Sequence, residues 1–285
     1  MNAVESTAPR SPRLREEPPA PARAPLRRRL YWTAHDSLVL TERTLRLTTR
    51  IPELLVFSII QPVMFVLLFR YVFGGAIHIG NSVSYVNFLM AGIFVQTVAF
   101  GGVTTGVGLA HDLDSGLIDR YRSLPMSHFA VVLGRTAADL VRNVFTVVVM
   151  FAVGFAVGFR PLGSPTDWLA AAALLLLLSF TFSWIGACVG LAVRNVEAVQ
   201  SAGFIWLLPL TFTSSAFVPS ATMPNGIRQF SEAQPVSQIV DAVRAWTLGQ
   251  PVGSHGAVAV AWCVGILVVF MPLAARLFKR AGGKV

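Results

Sequence analysis

Apolar residues run almost unbroken through six stretches of the chain, at about 52–73, 85–110, 129–159, 168–193, 198–218 and 257–275. Each supplies the ~20 residues with which an α-helix crosses ~30 Å of hydrocarbon. The pattern predicts an all-α membrane protein of six transmembrane helices. In the first stretch Glu53 sits at the edge, Gln61 lies within, and Arg70 is close enough to the far end to snorkel.

Between the second and third stretches lies one compact polar run, His111 to Pro125. Leu113, Leu117, Tyr121 and Leu124 recur at helical spacing, with Asp114, Asp119, Arg120 and Arg122 around the rest of the turn. Pro125 disfavours helix in the residue before it. The spacing predicts a short amphipathic helix at the mouth of the bundle, able to press on a soluble partner while its ends pull on two membrane helices. A solvated loop joining two helices fits the same pattern.

Ahead of the first stretch, residues 31–50 form a second amphipathic pattern. Arg43, Arg46 and Arg50 share a basic face, and Glu42 stands four residues before Arg46. Tyr31, Trp32, Leu38 and Leu45 are less polar. This predicts an interfacial amphipathic helix in the headgroup layer, or else an ordinary solvated helix. Residues 1–30, rich in Pro, Arg, Ala and Glu, predict a disordered cytosolic tail. No apolar region of export-signal length follows Arg27, Arg28 and Arg29 before Pro52.

At the start of the third stretch Arg135, Asp139 and Arg142 fall on one helical face, next to Asn143. Such an ion-paired stripe is how charge survives near lipid. It serves either as a stabilising ladder at a helix end or in gating. Before the last stretch, Pro219, Pro224, Asn225 and Gly226 break the chain, and Pro235 suits a first helical turn. Val236, Ile239, Val240, Val243 and Trp246 make an apolar stripe, with Asp241 and Arg244 opposite. This predicts a short extracellular helical segment docked at the outer leaflet.

Composition agrees with lipid as the solvent: 54% of the 285 residues are hydrophobic and 13% charged, against about 25% charged in soluble domains. The net charge of +9 is not a nucleic-acid signal. Ten of the 23 basic residues, all arginines, precede Pro52, and Arg276, Lys279, Arg280 and Lys284 close the chain. By the positive-inside rule both termini are cytosolic, together with Arg120, Arg122 and Arg194, leaving Arg160, Arg228 and Arg244 outside.

Catalytic chemistry is missing. There is no Gly-x-x-x-x-Gly-Lys-Ser/Thr loop, the five histidines are scattered, and no Gly-x-Ser-x-Gly elbow occurs. Cys188 and Cys263 lie in apolar stretches with no metal or disulfide spacing. The polar and aromatic residues left inside the bundle include Gln96, Phe100, Phe204, Trp206, Phe212 and Ser214, a candidate pathway for an amphiphilic ligand. Ordinary helix packing also explains these aromatics. Gly101, Gly102, Gly106 and Gly108 permit close helix approach.

Several motifs together resemble a known family. They are Phe88-Leu-Met-Ala-Gly-Ile, Asp114-Ser-Gly-Leu-Ile-Asp-Arg-Tyr-Arg-Ser-Leu-Pro-Met, Asn195-Val-Glu-Ala-Val-Gln, Phe217-Val-Pro with Met223-Pro, and Pro235-Val-Ser with Asp241-Ala-Val-Arg. Over roughly residues 30–280 the chain resembles the permease subunit of ABC-2 type exporters, in particular daunorubicin-resistance permeases. The resemblance implies that Asp112, Asp114, Ser115, Gly116, Leu117, Asp119, Arg120, Tyr121, Arg122 and Pro125 form a coupling helix seated in a separate ATPase subunit. That subunit would use the ATP and magnesium, and this chain would bind no cofactor. The resemblance further implies a connecting helix over 31–50 and a second permease, identical or homologous, in a bacterial plasma membrane. The expected activity is export of a hydrophobic or amphiphilic compound, a drug or a lipid-like molecule. A permease for a glycan or glycolipid precursor is the alternative in the same class. A membrane-embedded enzyme or a channel is the alternative in another, though neither a catalytic constellation nor a pore-lining charge ring is evident.

Overall fold

The computed structural model of the chain describes residues 26–50, 52–73, 85–122, 128–193 and 195–281. The tail before residue 26, the 74–84 connection and Pro125 lie outside the described residues. Among the described residues ten α-helices follow one another: α1 (Leu26–Thr49), α2 (Pro52–Leu67), α3 (Tyr85–Asp114), α4 (Leu117–Arg122), α5 (His128–Ala156), α6 (Pro165–Val193), α7 (Val196–Phe212), α8 (Asn225–Ala233), α9 (Pro235–Leu248) and α10 (His255–Ala281). A π-helical turn, Leu68–Phe73, extends α2, and a 3-10 turn, Ser220–Thr222, precedes α8. No strand occurs among the described residues.

Among the described residues four helices, α3, α5, α6 and α10, are long and apolar enough to cross a membrane. Two further apolar stretches, Ile59–Val72 and Val196–Phe212, are shorter. The multi-pass character thus rests on four helices, and the six-helix expectation on adding these two.

The centre of the bundle is α3, and its closest neighbour is α6. Glycines on both helices make that approach possible. A Cβ built on Gly186 would lie 1.8 Å from the Gly102 carbonyl oxygen, and one on Gly190 would lie 2.3 Å from that of Gly106. The backbones therefore touch directly, as small residues allow in membrane bundles. The expectation for α3 was sound as far as it went, but it omitted the matching Gly186 and Gly190.

Buried apolar residues divide into two clusters. One, at the α9 end, gathers Phe94, Met150, Leu178, Leu207, Ile239 and Cys263 with their neighbours. The other, at the α4 end, holds Leu109, Ile118, Val132, Trp184, Leu191 and Phe278. Between them runs a belt of buried polar side chains: Thr105, Thr136, Asp139, Asn143, Ser179 and Ser183. Its members bond to one another, Asn143 Nδ2 donating to Ser179 Oγ at 2.6 Å and Thr105 Oγ1 to Ser183 Oγ at 3.2 Å.

Helix α1 begins earlier than Tyr31 and crosses α5 at Gly134, where a Cβ would meet Leu40 at 2.8 Å. Thr41 Oγ1 donates to the Gly134 carbonyl at 3.1 Å. Tyr31, Trp32 and Leu38 are exposed, so the less polar face of α1 points away from the bundle while Ser37 and Leu40 are buried in it. Asn195 caps α7, its side chain accepting from the Ala198 N–H at 2.9 Å, as short polar residues do at helix starts.

The segment before α10 departs from the expectation of a helix docked by one apolar stripe. Every residue of α9 is buried or half-buried, and the helix is packed against α3, α6 and α10. Small residues on the supposedly polar side, Ser237 and Ala245, let neighbouring helices close over it. It is α8 that is exposed along its length, with only Ser231 buried.

Candidate functional site

Helix α3 runs past the bundle to Asp114 and turns at Ser115 and Gly116. The Ser115 N–H donates to the His111 carbonyl at 2.9 Å, and the Gly116 N–H to that of Leu113 at 3.1 Å. Gly116 has φ +69°, a left-handed conformation that glycine adopts without a Cβ penalty. The chain then doubles back as α4. Ile118 plugs into the core at that end, and Leu117 lies at the edge of a cleft shared with α1. Asp119 and Arg120 stay exposed on the opposite side. Tyr121 lies half-buried under α1, with the Arg43 guanidinium 5.7 Å from its ring centroid and donating to its hydroxyl. Burial raises the Tyr121 pKa against the opposing pull of Arg43, so Arg43 meets a neutral phenol. Asp114 borders a cleft with Asn195 and Glu197 at the α6–α7 corner. Of Arg122 only the backbone position, at the end of α4, is described.

The stripe expected on α5 is assembled, and it reaches further than the sequence indicated. Arg142 Nη2 lies 3.1 Å from Asp139 Oδ1, and Arg135 Nε lies 3.7 Å from Asp139 Oδ2. Arg135 Nη1 then reaches Asp112 Oδ2 on α3 at 3.2 Å. The guanidinium crosses α3 over Gly108, where a Cβ would fall 1.5 Å from Nη2. At the other end Arg142 donates to the Thr104 hydroxyl. A line of alternating charge therefore ties α5 to α3 at two levels, from the turn before α4 into the polar belt. It carries two positive and two negative groups. Deleting one member would leave a buried charge unpaired, which costs far more than the intact pair contributes.

In that belt a pocket of about 100 Å³ opens between α2, α3 and α5, lined by Gln61, Phe65, Gln96, Phe100, Arg142 and Asn143 among others. Gln96 and Phe100 are thus brought together, and the Phe204 ring stands 5.6 Å from that of Phe100. The other three candidates lie apart. Trp206 lies tilted against Phe182, ring centroids 5.5 Å apart, and Phe212 stacks on Phe217 at 5.1 Å. Ser214 is buried in the turn after α7, donating to the Thr211 carbonyl at 2.5 Å and accepting from the Ala216 N–H at 3.2 Å. These contacts are helix and turn packing.

Sequence reasoning placed Arg244 on the polar face of its helix. It is instead buried, with its guanidinium carbon 3.6 Å from the Phe88 ring centroid. It donates to the Ser215 carbonyl at 2.6 Å, to Asp241 Oδ1 at 2.7 Å and to the Phe88 carbonyl at 3.2 Å. Burial pushes its pKa down to about 10, against the pull of Asp241, so it keeps its charge at neutral pH. One side chain thereby fastens α9, the start of α3 and the turn after α7. The sequence signal was the lack of any broad polar face on α9.

Long apolar helices around a glycine-packed centre, four of them long enough to cross a bilayer, define a multi-pass membrane protein. Residues 36–248 match the ABC-2 type transporter family, and the chain belongs to it. It is 32% identical over 282 residues to the daunorubicin resistance ABC transporter permease protein DrrB1 of Streptomyces coeruleorubidus, covering 97% of this chain and 96% of that one. It is 25% identical over 253 residues to the probable doxorubicin resistance ABC transporter permease protein DrrC of Mycobacterium tuberculosis, covering 86% of this chain and 89% of that one.

Proposed function

We propose that the chain is the permease subunit of an ATP-driven exporter, moving an amphiphilic drug-like compound out of a bacterial cell. A separate ATPase subunit binds the nucleotide and magnesium and seats α4 in a groove. The observation that carries this reading is the mounting of α4. It is anchored through Ile118 and clamped by Arg43 at Tyr121, and it adjoins Asp112, where the charged line into the bundle begins. A push on its exposed Asp119 and Arg120 face is transmitted to α1, α3 and α5 together. The printed names of the relatives, drug-resistance permeases, support the same reading. So does the chain's lack of a nucleotide-binding loop.

In this reading the bundle spans the membrane six times, with α2 and its π-helical extension as the first span and α7 as the fifth. Both termini and α4 face the cytosol. At 1.5 Å per residue the 17 residues of α7 reach only about 26 Å, and the turn to Val218 completes the crossing. Apolar faces left exposed on α5 (Val141, Phe145, Val148) and α10 (Val260, Val264, Val268) meet lipid or a second permease.

The test is the double variant Asp119→Ala/Arg120→Ala, reconstituted with the ATPase subunit in proteoliposomes. Cargo-stimulated ATP hydrolysis should fall by at least about fivefold, the low end of the range for a coupling free energy of about 1–3 kcal/mol. Basal hydrolysis and the amount of folded permease should hold. Stimulation equal to that of the parent complex would remove α4 from the mechanism.

A further inference from the structure

We infer that the cleft between α1, the end of α3 and α4 holds the phosphodiester of an anionic phospholipid, with Arg43 and Tyr121 as its donors. The inference takes one point from the export reading, that α1 and α4 lie at the cytosolic leaflet. It gives that face a lipid partner besides the ATPase subunit.

The cleft has a volume of about 370 Å³, within the range of ~300–1,000 Å³ usual for small-molecule sites. Arg43, Tyr121, Asp112 and Arg135 supply its polar wall, and Leu47 and Leu117 belong to its apolar wall.

The arginines around it differ in what they bind. Arg135 is held by Asp112 at 3.2 Å and lies 3.7 Å from Asp139. Arg46, one turn further along α1, pairs with Glu42. Arg43 has no carboxylate partner among the described residues, and its one hydrogen bond there runs from Nη1 to the Tyr121 hydroxyl. A guanidinium carries five N–H donors, so most of the fork is unspent. Tyr121 accepts that bond, and its own hydroxyl hydrogen has no acceptor among the described residues. Burial keeps the phenol neutral, so the hydrogen is still there to give. A cation and a hydroxyl in contact with each other thus both offer donors to one space. A phosphodiester brings a single negative charge and acceptor oxygens to the one arginine of the cleft that lacks a carboxylate.

The flanking surface selects a lipid over a free phosphate. Arg43 and Leu47 also line a second cleft, of about 310 Å³, together with Val39, Arg46 and Arg50. Val39 is 51% exposed and Leu47 47%, so apolar surface adjoins the unpaired arginine, as in helices that lie at a membrane interface. A headgroup seated at Arg43 would lay its glycerol and acyl carbons against these side chains. Basic segments beside a membrane attract anionic lipids of the cytosolic leaflet. Bound there, the lipid would tie α1 to α4 at the same contact that carries a push on α4 into the bundle.

The probes are dioleoyl phosphatidylglycerol, dioleoyl phosphatidylcholine and glycerol 3-phosphate, which separate headgroup charge from acyl chains. Binding to the purified full-length permease in neutral detergent, without the ATPase, is read by native mass spectrometry during titration. Phosphatidylglycerol should bind at least about fivefold tighter than phosphatidylcholine, the attraction that one basic side chain supplies at a membrane surface. Glycerol 3-phosphate in large excess should not displace it. In Arg43→Gln the preference should shrink to about twofold or less, whereas Arg43→Lys, which keeps the charge and loses the fork, should retain part of it. Tyr121→Phe keeps the ring beside Arg43 and removes one donor, so phosphatidylglycerol binding should weaken by about two- to fivefold. This variant carries the test if Arg43→Gln does not fold. Arg46→Gln should leave the preference intact, because Glu42 already occupies Arg46.

Equal binding of the two lipids would overturn the inference. So would an equal loss in Arg46→Gln and Arg43→Gln, which would show a diffuse attraction to the basic face of α1. Displacement by glycerol 3-phosphate would make the cleft a site for soluble phosphate esters instead, and displacement by added ATPase subunit would make it a protein contact. The titration itself contains no ATPase, so its failure leaves the α4 coupling experiment untouched, and an uncoupling failure leaves these binding data standing.

Discussion

Asp241→Ala is expected to lower the stability of the permease by about 3–5 kcal/mol, the usual result of stripping a buried charge of its partner. Arg244 would remain enclosed beside Phe88 and Ser215, still charged, with neutral carbonyls as its described acceptors. Asp241 Oδ1 also accepts from Ser215 Oγ at 2.7 Å, so the substitution frees a hydroxyl as well. The measurement is the thermal unfolding midpoint in detergent, with the monodisperse fraction after extraction as a second readout. The double variant Asp241→Ala/Arg244→Met should recover part of the loss, because no buried charge is then left over. Recovery should stop short of complete, since the Phe88 and Ser215 carbonyls lose their donor. Equal losses in the single and double variants would show that Arg244 finds water once Asp241 is gone.

Gly186→Leu should do comparable damage by a different route. Even the first carbon of the new side chain would fall 1.8 Å from the Gly102 carbonyl oxygen, so α3 and α6 must part. Overpacking of this kind costs about 1–3 kcal/mol and sometimes more, and here the obstacle is backbone that cannot swing aside. Gly226→Ala and Gly265→Ala are the controls. Neither Cβ would have a neighbour within 4 Å, and both glycines sit inside helices, where alanine is favoured by roughly 0.5–1 kcal/mol. Unfolding midpoints should fall sharply for Gly186→Leu and stay level or rise slightly for the controls. A level result for Gly186→Leu would mean that the two helices are not in backbone contact.

These two sites also mark where sequence reading ran out. The long apolar helices and the amphipathic α4 were legible because each has a local cause: lipid demands length, and Leu117 and Tyr121 recur at helical spacing. The turn at Ser115 and Gly116 was not, because the apolar spacing runs on from Leu113, whereas α3 ends at Asp114 and α4 starts only at Leu117. The Arg135, Asp139 and Arg142 stripe was legible because helical spacing alone puts those three together. Its extension to Asp112 was not, since that contact depends on how α3 and α5 cross. Likewise Gly102 and Gly106 stood out on α3, yet their value came from Gly186 and Gly190, spaced identically on another helix. Arg244 was misplaced for a related reason: a charged residue three positions from Asp241 reads as a wet face until the surrounding helices are known to close over it. Within the candidate pathway, Gln96, Phe100 and Phe204 adjoin one another, whereas Trp206, Phe212 and Ser214 chiefly hold helices and a turn in place.

The polar belt between the two apolar clusters has a practical consequence for engineering. Side chains well separated on either side share no partners, and the effects of substitutions more than about 7–10 Å apart usually sum independently. Tightening the interior around Leu178 and Ile239 should therefore raise heat resistance while leaving the region around Ile118 and Trp184 as compliant as before. A toughened variant of this kind would suit purification and imaging, with the surface offered by α4 unaltered.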